Sequence, residues 1–448
     1  MKKGRSWIVA GVLLIGGVAG SPLLMGQGIE NAVKGGVDKA LTGPTSLLAK
    51  NGLDSYVKVK EHLYNRGPLD STEILKVDFG CPGQPVTQLE LRNKIQHGPF
   101  PGFSGLGLAR VETEVIVPPE VQTQLSKAFG DKKWTIQTLV NFDGSSTSTL
   151  TLPAGNMAQD GTRMEWQAGT GQVRSSGAGK NAVYSLKFPK AVMTTENNEG
   201  ITLENLRLEG NTQQVIEYKN LTQGNQRASL GRMNFKAEGQ TVALENMSVN
   251  TNTRIQGDNS GFDFALEAGK LSVGTQTLSD VTLKMGMEQL KASSLQQLTE
   301  ASRSLSSNVC DPASADPTML GLKLLSPMLE LIQSGPRLRI DRLAFKVPEG
   351  ETVLSGSAEF ADASRVNVTN FSTVALEQLR ANLKFNSSQK ALSSVVAGFG
   401  GTAFNVEEGI TNLETLGYIK KTGDALSSDL KFENKKLMVN GQEIPLGL

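Results

Sequence analysis

Histidine and cysteine are almost missing from this chain, with two of each in 448 residues. The two histidines, His62 and His97, and the two cysteines, Cys81 and Cys310, are scattered along the chain and make no zinc-site pattern. There is no HExxH, paired CxxC or calcium-loop pattern either. Aromatic residues make up only 5%, and basic residues nearly balance acidic ones, 45 against 44, with no basic block or stripe. That balance excludes a nucleic-acid footprint. Apolar residues reach only 38%, below the globular norm, which implies much surface per unit of core and favours an extended sheet over a compact enzyme.

What is present begins at the N-terminus. Lys2, Lys3 and Arg5 precede an uncharged, mostly apolar run from Trp7 to Met25, long enough to cross a bilayer as a helix. A signal anchor over 1–26 is expected, with the N-terminus in the cytoplasm and everything after Met25 outside it. The competing reading is a cleaved signal peptide ending at Val18-Ala19-Gly20; the length of the run favours the anchor. Both readings export the chain, and in an oxidising compartment an isolated cysteine pair is a disulfide candidate. Cys81 and Cys310 sit in "GCPGQP" and "VCDPASADP". A bridge there would contribute at most about 5 kcal/mol by chain entropy. The alternative is two unrelated thiols.

Length alone permits two or three domains. Over 27–52, Ile29, Val33, Val37 and Leu41 recur every four residues until Pro44, which predicts a juxtamembrane helix. From residue 53 the period becomes two. "LELRNKIQH" puts Leu89, Leu91, Ile95 and His97 on one face, "LARVETEVIVPP" and "WTIQTLVNF" alternate likewise, and similar segments follow to residue 285. The expectation is a mainly β fold with a few helices, a long antiparallel meander. "LENLRLEGNT" at Leu203 and "LENMSVNTNT" at Leu244 form a faint repeat, with "LSDVTLKMG" at Leu278 a looser copy. Helices are expected over 118–130 and in a helical segment, 286–335. The remainder, 336–448, reads as a β/α portion completing the same domain. About fifteen strands with one apolar face must hide that face, by stacking, by closing, or by curling into a groove-like trough. Such a trough would take acyl chains or other apolar ligands.

Motif shapes for catalysis fail. "GFSGLG" (102–107) lacks the spacing and strand-to-helix turn of a nucleophile elbow, and "SSGAGKN" (175–181) lacks the residues that cradle phosphate. His97 lies on the apolar face of its strand without a nameable partner, beside Gly98 and Pro99, which end the ladder; it reads as a structural corner. Phe100 and Phe103 follow as candidates for a groove rim. Arg66, before Gly67-Pro68, would meet a lipid phosphate or, as a turn lock, Asp70; turn chemistry favours the lock. No catalytic residue, metal or cofactor is assigned.

The apolar N-terminus leading to "GIE" (28–30), "YNRGPLDS" (64–71), "HGPFP" (97–101), "DGSSTSTLTL" (143–152), "GPRLRIDRLAFKVPEGE" (335–351) and "LKFENKKLMVNGQEIPL" (430–446) together resemble the YdgA-like family of Gram-negative envelope proteins. The resemblance covers nearly the whole chain. It implies an inner-membrane-anchored periplasmic protein of no established activity, with Arg66, Gly67, His97, Gly98 and Pro99 in family motifs. The general design is also similar to AsmA-type proteins, whose curved sheets are associated with lipid handling. A non-enzymatic lipid binder is therefore expected, the alternative being a structural envelope protein that self-associates or binds a protein partner.

Overall fold

The computed structural model describes residues 56–445, apart from 68, 82, 85, 104, 131, 178, 307–309, 311–316, 368–369 and 400–405, together with Val37, Leu41, Thr42 and Leu53. The Trp7–Met25 run lies outside these residues. Among the described residues no helix is long and apolar enough to cross a membrane.

The strands come first as β1 (Val57–Arg66), β2 (Asp70–Phe79), β3 (Thr87–His97), β4 (Ala109–Ile116), β5 (Thr135–Val140) and β6 (Ser146–Leu152). Then follow β7 (Gly155–Gln159), β8 (Thr162–Trp166), β9 (Gly169–Ser176), β10 (Asn181–Thr195), β11 (Gly200–Gln214) and β12 (Thr222–Ala237). Next are β13 (Gln240–Gln256), β14 (Asn259–Val273), β15 (Gln276–Lys291), β16 (Arg337–Val347), β17 (Gly350–Phe360) and β18 (Leu379–Ser388). Short strands β19 (Lys420–Thr422), β20 (Ala425–Glu433), β21 (Lys436–Val439) and β22 (Gln442–Ile444) close the chain. The helices are α1 (Pro119–Phe129), α2 (Ala292–Ser306), α3 (Pro317–Gln333), α4 (Phe371–Gln378), α5 (Gln389–Phe399) and α6 (Val406–Thr415).

All the strands belong to one antiparallel sheet, and most pair with their neighbours in the chain. Some pairings skip a neighbour: β6 passes over the β7–β8 hairpin to pair with β9, and β18 passes over β19 to pair with β20. On one edge of β10, Asn181–Lys187 pair with β9 and Ala191–Thr195 with β8. Pro189, which has no N–H to give, stands where one partner ends and the next begins. Helix α1 rests on that hairpin through Phe129, edge-on to Trp166 with ring centroids 5.3 Å apart.

The helical segment expected from residue 286 begins later, at Ala292. Residues 286–291 extend β15, because Gly286 and Met287 continue the register with Asp263 and Phe262 on one side and Arg339 and Leu338 on the other. Two edges of paired backbone outweigh a local helical pattern.

The faint repeat has a structural meaning. Its third residues, Asn205, Asn246 and Asp280, adopt left-handed φ values of 57°, 52° and 49° in mid-strand, a conformation that Asn and Asp tolerate best after glycine. The pairing steps over each one: from Phe188↔Leu206 to Lys190↔Glu204, from Leu230↔Met247 to Arg232↔Glu245, and from Ala268↔Val281 to Lys270↔Ser279. The residues skipped opposite are Pro189, Gly231 and Gly269. A Cβ on Gly231 would lie 3.0 Å from the Cβ of Asn205, so glycine leaves room for the kink. The alternation slips by one at the same place, from Ile201 and Leu203 to Leu206 and Leu208, and from Val242 and Leu244 to Met247 and Val249. One inserted residue per strand is the remedy for such a slip, since an uncorrected slip turns every later side chain to the other face. A crease thus crosses β10–β15 on one line.

Two buried clusters lie in β1–β5, and further buried side chains, among them Val366, Leu426 and Val439, lie in the C-terminal part. Val57, Leu75 and Val77 pack with Val37, Leu41, Leu53 and Tyr56, so the stripe expected of the juxtamembrane helix touches the sheet at its two described positions, both helical. Ile95, Ala109, Val111 and Val140 form a second cluster.

Candidate functional site

The loops singled out by sequence gather at one end of β1–β6. Gly67 N–H donates to Asp70 O at 2.8 Å, so backbone closes this turn, and Arg66 makes no ion pair with Asp70. The turn lock expected of that pair is replaced by the close approach that Gly67 allows. The Gly98–Pro99 peptide is cis, and Gly98 N–H donates to Leu108 O at 2.7 Å. Phe100 is 59% exposed; the side chain of Phe103 lies outside the described residues.

His97 does have a side-chain partner: its Nε2 lies 3.0 Å from Ser71 Oγ, and its backbone N–H donates to Leu69 O. The other histidine, His62, stands 2.8 Å from Glu73 Oε1. Asn93 Nδ2 donates to Glu73 Oε2 at 2.7 Å, and Thr113 Oγ1 donates to Asn93 Oδ1 at 2.5 Å. Glu73, Asn93 and Thr113 are direct cross-strand neighbours in register. Glu73 is 2% exposed and Asn93 5%, so a buried carboxylate here is satisfied by two donors. The serine and the carboxylate are served by different imidazoles, whereas a hydrolytic relay needs one imidazole between both. The hydrogen bonds therefore tie β1 to β4 and do not form a triad. Sequence reading passed over this network, although its signal was visible in Asn93, a polar residue set between Leu91 and Ile95 on the inward face.

Cys81 and Cys310 form a disulfide, Cα–Cα 5.1 Å, across 229 positions of sequence. Cys81 lies in the β2–β3 turn and Cys310 in the connection between α2 and α3. Among the described residues no group of His, Cys, Asp and Glu is arranged to hold a metal ion.

The largest chemical feature is a row of directly paired residues running from β10 to β18. It reads Leu186, Leu208, Ala228, Val249, Leu266, Leu283, Leu343, Leu354 and Phe385. Parallel rows on the same face hold Phe264, Met285 and Ile340, then Phe262, Met287 and Leu338. No residue of the long row is buried; Leu208 keeps 37% of its surface and Leu343 40%. One residue along, and so on the opposite face, the pairing runs Lys187, Arg207, Ser229, Ser248, Glu267 and Thr282. Charge marks the crease as well: Lys190–Glu204 at 2.9 Å and Arg232–Glu245 at 3.0 Å. A hydrogen bond from Lys190, helped by its charge and that of Arg232, holds the Glu204 carboxyl below its ordinary range. Arg232 does the same for Glu245 by hydrogen bond and charge. A concavity of about 670 Å³ beside α5 is lined mostly by polar and charged residue types, Gln276, Lys390, Ser394 and Lys421 among them, so the apolar band is the better match to a hydrophobic ligand.

These features define a class: a mainly β protein built on one large antiparallel sheet with few helices. A family model described as a bacterial protein of unknown function (DUF945) matches residues 1–447, and the chain belongs to that family. It is also similar to protein YdgA of Escherichia coli (strain K12), 23% identical over 389 residues that span 80% of this chain and 75% of that protein. The likeness read from the short motifs therefore extends along the chain.

Proposed function

We propose that this chain is a non-enzymatic envelope protein, held in the inner membrane by residues 1–26, that binds lipid acyl chains along the apolar face of a curved periplasmic sheet. The observation that carries the reading is the row from Leu186 to Phe385: apolar on every strand and nowhere buried. Monomeric soluble proteins rarely leave such a contiguous band unoccupied. The design is similar to the AsmA-type arrangement.

Curvature has independent support from the disulfide. From β3 the pairing path runs β4, β5, β6, β9, β10, β11, β12, β13, β14, β15, ten steps in all. At about 4.8 Å per step a flat sheet would set β3 and β15 roughly 48 Å apart. The chain from Lys291 to Cys310 includes the 15 residues of α2. That helix spans about 22 Å, and the four residues beyond it reach about 14 Å at full stretch. The bond to Cys81, with its Cα atoms 5.1 Å apart, is reached more readily across a sheet that bends between those strands than across a flat one. Helix α2 starts on the apolar side, where Ala292 packs with Ile255, a residue in alternation with Val249 on β13. A hairpin that spans the bend from that side makes the apolar face concave.

The test is lipid extraction from the purified full-length chain, followed by mass spectrometry, beside the variant Val249→Glu with Leu266→Lys. Co-purified lipid should be present in the first and lost from the second, with both still folded by circular dichroism. A wild-type chain that carries no lipid and takes up no fluorescent fatty acid would sink the proposal.

A further inference from the structure

We propose that the end of β1–β6 bearing the three turns is a bilayer-docking tip, a surface distinct from the apolar band. Leu69 is 81% exposed, Phe100 59%, Leu106 62% and Phe142 54%. They come from the β1–β2 turn, the β3–β4 loop and the β5–β6 turn, which alternation of the chain brings to the same end of the sheet. The turns are joined to one another: His97 N–H donates to Leu69 O at 2.9 Å, and Leu108 N–H to Val140 O at 2.8 Å. Within the turns, Gly67 N–H meets Asp70 O and Asn141 N–H meets Ser145 O, each at 2.8 Å. The His97–Ser71 hydrogen bond lies at the base.

Three properties select a lipid surface as the occupant. The segment 97–109, "HGPFPGFSGLGLA", contains no Lys, Arg, Asp or Glu, so the loop that reaches out carries no fixed charge into hydrocarbon. Two backbone hydrogen bonds at its base are internal, Gly98 N–H to Leu108 O and Gly107 N–H to Pro99 O, which lowers the cost of leaving water there. Arg66, exposed at the base, has no acidic partner among the described residues, and a guanidinium so placed suits a lipid phosphate. Arg110 is already engaged by Gln137 and Glu112. Of the two carboxylates nearby, Asp143 accepts bonds from the Ser145 N–H and hydroxyl within its own turn, and Asp70 stays at the level of Arg66. Separate side chains protruding from turns suit a fluid surface, which needs no matching pocket.

The native cysteines are joined to each other, so Phe100→Cys supplies a single thiol for an environment-sensitive fluorophore. The full-length chain, carried in nanodiscs if its N-terminal run holds it there and free in buffer if not, is mixed with phosphatidylcholine–phosphatidylglycerol vesicles containing brominated acyl chains. In a second arm the brominated lipid is placed in the nanodisc. Quenching at position 100 in either arm supports the proposal, and the arm that responds tells which membrane is touched. A label at Lys127→Cys, exposed on α1 at the opposite end of β4 and β5, should stay unquenched. Leu69→Ser with Leu106→Ser should weaken vesicle binding at least about tenfold with unchanged melting, and Arg66→Glu should weaken it less. Equal emission with and without brominated lipid in both arms overturns the proposal. So does quenching indifferent to the serine variants. A spectral shift that follows protein concentration without lipid assigns the tip to a second copy instead. Should Phe100→Cys fail to fold, Leu106→Cys carries the label. None of these readouts requires a ligand in the apolar band.

Discussion

Strands β1–β5 and β10–β15 carry the same alternation of apolar and polar residues but use it differently. In the first region Leu75, Val77, Leu89, Ile95, Val111, Ile136 and Val140 are all buried. In the second, the only large apolar side chain buried among the described residues is Ile255, one residue from the end of β13. The first region also buries polar groups, from Ser71 and Glu73 to Thr138, and pairs them across strands. The second places its charges on the outer face and along the crease. Alternation thus makes a two-faced sheet in both regions, and what lies over the apolar face settles whether that face becomes core or surface. Over β1–β2 it is Val37, Leu41 and Leu53; among the described residues, no large apolar side chain at a mid-strand position of β10–β15 is buried.

The contrast can be broken at the disulfide, which links the β2–β3 turn to the helices leaving β15. Reduction, or Cys81→Ser with Cys310→Ser, should lower stability by about 4–5 kcal/mol, given the length of loop it closes. Thermal melts with and without reductant would read this. Under the proposed curvature, the apolar band should also gain exposure when the bridge is cut, seen as stronger binding of a hydrophobic dye.

A pair of truncations sharpens the comparison. Ile95→Ala, at a position with no exposed surface, should cost about 3–4 kcal/mol in urea unfolding. Leu208→Ala in the open band should cost about 1 kcal/mol or less, because much of that side chain already faces water. Equal losses would show that both regions are packed alike.

The smallest effect concerns acid. Glu204 and Glu245 have folded-state pKa values below their ordinary value of 4.5. Their contribution is therefore complete above about pH 4.5 and is lost as pH falls through the lower folded-state values. Both side chains are partly exposed to solvent, so the loss is slight and screened by salt. Urea midpoints measured from neutral pH down to about pH 3 should fall less steeply when both residues are changed to Gln.

The sequence read the strands well because each lies in a sheet with one apolar and one polar side, and period two is the local record of that. It misplaced the start of α2 because residues 286–291 have a helical pattern, and only pairing on both edges makes them strand. It registered Asn205, Asn246 and Asp280 as a repeat without reading them as a crease, since a left-handed residue in mid-strand acquires meaning only when its partner strand yields opposite it. It also left Arg66 paired with Asp70, where the turn closes through backbone.

Taken alone, the sequence determined a two-faced β protein, the helix over 118–130, a candidate cysteine pair and a family, because these follow from periodicity, residue type and short motifs. Only the tertiary structure decided which apolar rows are core, which remain open from Leu186 to Phe385, and that three turns distant in sequence form one apolar tip. It also gave each of the two histidines its own partner. The reason is physical: alternation along a strand sets the direction of a side chain, while cross-strand register and whatever packs above the sheet set what that side chain meets.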